Sequence, residues 1–270
     1  MNYDTPEKVM QRVEEHNQVA IDMGYEVVGT FLQGSFNYGD KMSDNESDID
    51  TKCIVIPRFS DFCLNKKPVS TTHVLPNDEH IDLKDLRLYI DCFKKQNINF
   101  VEILFTKYMV LNPKYEDIFK LLIYCRESIG RYNNYAALNC MAGMAMEKEK
   151  ALCHPYPSKE KIIAEYGADF KQLSHIVRLN EFMDRWLAGE PYEDCLISKQ
   201  PERLLDLKRQ RNITLEEGKN LAATLSKRMY DIKTNYMANH ELLIDRAMDE
   251  LFDYVVVEIF KRNFQMEINQ

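Results

Sequence analysis

Several things are missing from this 270-residue sequence, and each absence removes a class of protein. Its seven cysteines, at 53, 63, 92, 125, 140, 153 and 195, are odd in number and include no C-x-x-C pair. That argues against a disulfide framework or a zinc site, and for reduced thiols in a cytosolic protein. His154 stands beside Cys153 but lacks the further ligands a metal site needs. No stretch reaches the roughly 18 apolar residues of a spanning helix. The opening segment, MNYDTPEKVMQRVEEH, is charged and has no apolar signal-peptide core. A soluble, cytoplasmic protein without a membrane partner is the expectation. Glycine and proline are scarce at nine each, with no repeat or low-complexity tract, which excludes fibrous, solenoid and disordered chains. Positive charge is in deficit too: the net charge is −8 and the pI near 5.4. Such a field disfavours indiscriminate binding to long nucleic acid while leaving room for a local basic groove.

What is present is ordinary globular composition, with 45% hydrophobic and 29% charged residues. Thr5, Pro6 and Glu7 read as a helix start, and Gly24 as its end. Tyr25–Gln33 and Ile49–Ile56 are β-branched and aromatic enough to be strands. Val69–Val74 and Glu79–Lys84 predict two more, around a turn at Pro76-Asn77-Asp78. From Asp85 the period becomes helical, with Leu86, Tyr89, Ile90 and Phe93 on one face as far as Gln96. Phe100–Phe105 is a short apolar run that reads as a buried strand. Beyond Pro113 the pattern predicts helices at Tyr115–Ser128, Tyr132–Leu152, Ile162–Ala188, Leu215–Met237 and His240–Phe264. The fold class is therefore α+β: a small mixed β-sheet core over residues 1–112, followed by a mainly α-helical region over 113–270.

The chemistry concentrates in LQGSFNYGDKMSDNESDIDTKCIVI. Gly34-Ser35 leaves the first strand directly, and a glycine lets backbone N–H groups approach a phosphate. Taken alone, Gly-Ser is also a common turn. Asp48 and Asp50 flank Ile49 at the edge of the next strand, where alternation projects both carboxylates to one side. Two like charges that close favour a cation between them, although a solvated acidic strand entrance is the bland alternative. A calcium loop starting at Asp44, with Glu46 and Asp48, fails because Ile49 and Val55 stand where it needs glycine and glutamate.

Taken in order, strand, Gly-Ser, excursion, Ser-Asp-x-Asp and strand, the segment resembles the nucleotidyltransferases of the DNA polymerase β superfamily. GSFNYG…SDID is most similar to the predicted nucleotidyltransferases of the RNA-repair-associated polymerase β family. The resemblance implies a nucleotidyltransferase core that moves a nucleoside monophosphate from an NTP, such as ATP, to an acceptor hydroxyl and releases pyrophosphate. Gly34 and Ser35 would hold the terminal phosphates. Asp48 and Asp50 would hold two Mg²⁺ ions (Mn²⁺ being the substitute), joined by a third carboxylate that helps to activate the acceptor. Asp78, Asp82 and Asp85 are the candidates for that third acid. Asp82, between Ile81 and Leu83, is the choice, because Asp78 falls in a turn and Asp85 reads as a helix N-cap.

In the helical half, Lys171, His175 and Arg178 share one helical face. They are a solvated stripe by composition alone, and nucleotide- or acceptor-binding residues by the same resemblance, which extends to the segment KQLSHIVRL. Arg203, Lys208, Arg209 and Arg211 form a second basic cluster. Phe36 and Tyr38 flank the glycine turn, where they suit base stacking or the core. Asn97 and Glu102 match an Asn-Pro…Glu stretch of the family, with Ile98 in place of proline. The acceptor is left open among an RNA end, a nucleotide, a small molecule and a protein. The competing expectation is a catalytically silent nucleotide- or partner-binding module on the same fold.

Overall fold

The computed structural model describes residues 5–38, 48–157, 159–210 and 212–269, apart from the side chains of Ser35 and Tyr38. Asp44, Glu46 and Arg211 therefore lie outside the described residues. The chain divides into two compact units: residues 1–132 with 245–270, and residues 133–244.

The first unit is built on a five-stranded mixed sheet. Helix α1 (Pro6–Asp22) starts as expected, with the Lys8 amide donating to the Thr5 hydroxyl and Pro6 in the first turn. Its buried residues Val9, Val13, His16 and Ala20 repeat at helical spacing and form one stripe. Strands β1 (Glu26–Gln33) and β2 (Asp50–Ile56) follow, then a helical turn α2 (Phe59–Cys63) and the hairpin β3 (Ser70–Val74) and β4 (His80–Asp85). Next come α3 (Leu86–Lys94), α4 (Ile98–Val101), β5 (Met109–Leu111), α5 (Glu116–Tyr124) and α6 (Arg126–Ile129). The sheet order is β3-β4-β2-β1-β5. The β2–β4 pair is parallel and the other neighbours are antiparallel.

Both central strands are buried along nearly their whole length, as continuous apolar runs demand. On the α1 face, Ala20 packs with Val27, Cys53, Val55, Ile81 and Leu83, while Val9 and Val13 pack with Leu32 and Ile49. On the other face, Phe31 meets Phe119 of α5 at 5.3 Å between ring centroids. Helix α13 (Arg246–Ile268) belongs to this unit as well. Lys94 pairs with Asp249 at 3.0 Å, Arg262 with Asp117 at 2.6 Å, and Asn263 accepts from the Tyr115 hydroxyl at 3.2 Å. A division of the chain at residue 112 separates α5, α6 and α13 from the sheet, whereas the compact unit of residues 1–132 with 245–270 contains them all.

The run Phe100–Phe105 is not a strand. It forms α4 and a 3₁₀ turn over Glu102–Phe105, because Asn97 caps the segment by accepting from the Asn99 amide at 3.2 Å. Ile98, Val101, Ile103 and Leu104 are buried from that helical conformation, whose spacing so short an apolar segment does not reveal.

The second unit is helical throughout: α7 (Asn134–Cys153), α8 (Glu160–Tyr166), α9 (Phe170–Leu187), α10 (Tyr192–Leu196), α11 (Pro201–Lys208) and α12 (Leu215–Asn239). The single helix expected over Ile162–Ala188 is two. Gly167 adopts φ +77 after α8, and Asp169 caps α9 by accepting from the Lys171 amide. Thr214 and Glu217 close a capping box at the start of α12. Ser174 donates to the Leu204 carbonyl at 2.9 Å and Ser226 to the Ala145 carbonyl at 3.3 Å, tying α9 to α11 and α12 to α7. No helix among the described residues is long and apolar enough to cross a membrane.

Candidate active site

β1 ends at Gln33, and Gly34 turns the chain with φ +94. A Cβ built there would meet nothing within 4 Å, so what the position demands is the left-handed backbone and not space. One 3₁₀ turn, Ser35–Tyr38, follows. Asn37 holds it: its amide donates to the Gly34 carbonyl at 3.1 Å and its side-chain Nδ2 to the Leu32 carbonyl at 2.9 Å. The Thr106 hydroxyl completes the brace by donating to Asn37 Oδ1 at 2.6 Å. Neither Asn37 nor Thr106 stands out in the sequence, because the brace spans 69 residues.

The antiparallel register pairs Gln33 with Asp50, so the glycine turn and the acid pair sit at the same end of adjacent strands. Ile49 is fully buried among Val9, Val13 and Leu32. Asp48 and Asp50, on either side of it, therefore project away from that core. Asp48 is exposed, and the Asp50 side chain is 42% exposed. Asp50 Oδ1 accepts from the His80 amide at 3.0 Å and lies 3.1 Å from the His80 ring.

Asp82 lies on the same sheet face as Asp50, two register positions further along, directly opposite Lys52. Its carboxylate pairs with the Lys52 ammonium at 3.0 Å. Lys52 is buried and lies 4.1 Å over the Phe100 ring, and burial lowers its pKa despite Asp82. Of the other candidates, Asp78 occupies the turn with φ +64. Asp85 caps α3, accepting from the Arg87 amide at 2.9 Å and pairing with its guanidinium at 2.8 Å. Among the described residues no three His, Cys, Asp or Glu side chains form a metal-sized group. Asp48 and Asp50 are the hard oxygen donors that Mg²⁺ or Mn²⁺ takes, and their open strand entrance leaves room for water ligands. Asp82 belongs to a different ion pair as it stands.

Behind the acids lies a buried polar cluster. Glu79, 1% exposed, accepts from Arg12 Nε at 2.5 Å and from the Ile49 amide at 3.4 Å, and lies 3.0 Å from His16 Nε2. Arg12 also pairs with Glu15. Burial is the largest influence on His16 and pushes it below its usual range, although Glu79 pulls the other way. A neutral His16 donates from Nε2 to Glu79, which leaves Nδ1 to accept from the Thr51 hydroxyl at 2.9 Å.

No protein-family model matches this chain, and no curated protein matches it. Among solved structures, it is similar to a nucleotidyltransferase-like protein from Exiguobacterium sibiricum 255-15. The two share 14% identity over 83% of this chain and 75% of that one, with a TM-score of 0.32. A likeness that weak carries no argument.

The helical unit has its own charged feature. Lys171, His175 and Arg178 lie along α9, while Leu173, Ile176 and Val177 are buried. The half-buried His175 is pushed down to about 3, first by burial and then by the charges of Arg178, Lys171, Lys148 and Lys208. Its ring is therefore neutral near pH 7, so the charge of the group comes from the cations of α7, α9 and α11. Sequence spacing finds the α9 members; Lys148 and Lys208 are brought to them by helix packing.

Proposed function

We propose that this chain is a metal-dependent nucleotidyltransferase. The observation that carries the reading is the register Gln33 opposite Asp50. It brings a left-handed glycine turn and a pair of projecting carboxylates to one end of two adjacent strands. In the proposed reaction an acceptor hydroxyl oxygen bonds to the α-phosphorus of an NTP as the bond to the β-phosphate oxygen breaks. Pyrophosphate leaves, and the hydroxyl proton passes to a nearby base. Asp48 and Asp50 would hold divalent cations, which when bound would supply Lewis-acid stabilisation of the phosphate charge.

The backbone around Gly34 and the Ser35 hydroxyl are assigned to the terminal phosphates. Asp82 is assigned as the third acid and the acceptor's proton partner; to serve, its carboxylate exchanges the Lys52 pair for the site. In the helical unit, Lys171 and Arg178 supply charge for a phosphate-bearing ligand, and His175 supplies a neutral hydrogen-bonding ring. The Lys52–Asp82 pair also favours a second reading, a nucleotide binder without turnover, because it leaves one acid neutralised.

Incubation with each labelled NTP, Mg²⁺ and a panel of RNA, nucleotide, small-molecule and protein acceptors separates the two. Pyrophosphate release that disappears in Asp50→Asn supports the transferase. Tight NTP binding with no release on any acceptor supports the binder.

A further inference from the structure

Glu79 is an acid placed where acids are costly, and its partners explain the placement. A carboxylate that is 1% exposed persists only when paired and hydrogen-bonded. Glu79 draws two partners from successive turns of α1, Arg12 at 2.5 Å and His16 at 3.0 Å. It reaches across the sheet to the Ile49 amide at 3.4 Å, and His16 reaches the Thr51 hydroxyl at 2.9 Å. Ile49 and Thr51 are the two neighbours of Asp50, and one cluster grips both. The next residue, His80, grips the Asp50 carboxylate itself from the opposite face of the strand, at 3.0 Å. Asp48 and Asp50 repel each other, and without such a hold their strand entrance would relax so as to part them.

We propose that Glu79, with His16 and Arg12, is the positioning device of the acid pair, fixing residues 49–51 so that Asp48 and Asp50 are preorganised for a divalent cation. The inference rests on the nucleotidyltransferase reading only in taking those two aspartates as metal ligands. Glu79 is not a ligand itself, since it sits on the Ile49 side of the strand. Arg12 balances its charge, so it acts through geometry and not through field. Outer partners of this kind orient the ligands, and losing one typically costs about 10–100-fold in metal affinity.

The test is Mn²⁺ affinity of the full chain by electron paramagnetic resonance, with the melting temperature read on the same samples. Glu79→Gln is expected to weaken Mn²⁺ binding by about tenfold. Thr51→Val, which removes only the hydroxyl bonded to His16, is expected to weaken it by a smaller factor, since the Glu79 bond to the Ile49 amide stays in place. Tyr115→Phe is the control: it removes a hydroxyl bonded to Glu26 and Asn263, so it lowers the melting temperature and leaves Mn²⁺ affinity unchanged. Wild-type affinity in Glu79→Gln overturns the proposal, as does an equal loss in Tyr115→Phe. Should Glu79→Gln not fold, Thr51→Val decides alone. Mn²⁺ binding that is lost in Asp50→Asn and retained in Glu79→Gln removes the positioning role and keeps the metal site. No Mn²⁺ binding by the wild type, with or without NTP, removes both.

Discussion

A charge arrangement in the sheet unit contrasts with one in the helical unit. In the sheet unit every buried charge discussed above faces an opposite one: Glu79 faces Arg12, Asp82 faces Lys52, and Asp85 faces Arg87. In the helical unit four cations bear on His175, and each depresses its protonation. Opposed pairs hold a backbone in place, because desolvated charges tolerate little displacement. Like charges around one ring act differently: they raise the potential there and keep the ring neutral. The pairs of the sheet unit thus fix geometry, whereas the cations near α9 raise the positive potential around His175.

The largest expected effect tests the sheet side. Asp48→Asn or Asp50→Asn should lower pyrophosphate release by roughly three orders of magnitude, as loss of transition-state charge stabilisation does. Thermal unfolding should be unchanged or slightly raised, since a repulsion is removed. Retained activity in either variant breaks the assignment of these acids. Next comes the Lys52–Asp82 pair. Asp82→Asn strands a buried ammonium and should cost about 3 kcal/mol in chemical denaturation. A double replacement, Lys52→Met with Asp82→Leu, should recover most of that stability; no recovery would show that the pair matters through other contacts.

Gly34→Ala should cost about 1–2 kcal/mol, from the left-handed backbone alone, because no neighbour is close enough to clash. A larger loss in urea melts would indicate a contact the free turn does not make. The smallest effect tests the helical side. His175 has its folded value pushed down to about 3 and an unfolded value near 6.5, so the unfolded chain binds the proton first as pH falls. Its contribution is present above about pH 6.5 and is lost toward pH 3, with a slope of at most about 1.4 kcal/mol per pH unit. His175→Asn should flatten the acid limb of stability against pH. Inorganic pyrophosphate should raise the His175 value in wild type if the cations gather around an anion, and an unmoved titration would contradict that.

Much of the sheet unit was legible because its signals are local. The Thr5 cap, the Gly24 stop, the alternation of Glu79–Lys84 and the Asp85 cap each depend on a few adjacent residues. Gly34 with the Asp48/Asp50 spacing was legible for the same reason. Phe100–Phe105 misled because a short apolar segment with a single interruption at Glu102 shows too little of a period, and the Asn97 cap starts a helix there. The Asn37–Thr106 brace and the Glu79–Arg12–His16–Thr51 cluster were invisible, since each joins residues far apart in the chain.

By itself the sequence determined which residues alternate, cap and turn, and so which side chains leave the strand ends together. Local sterics and hydrogen bonding settle those matters within a few residues. Tertiary structure decided what charges distant in the chain face. Register put Lys52 opposite Asp82, α1 carried Arg12 and His16 to Glu79, and helix packing collected Lys148 and Lys208 around His175. Electrostatic energy depends on distance and on burial, and neither is written in the order of the chain.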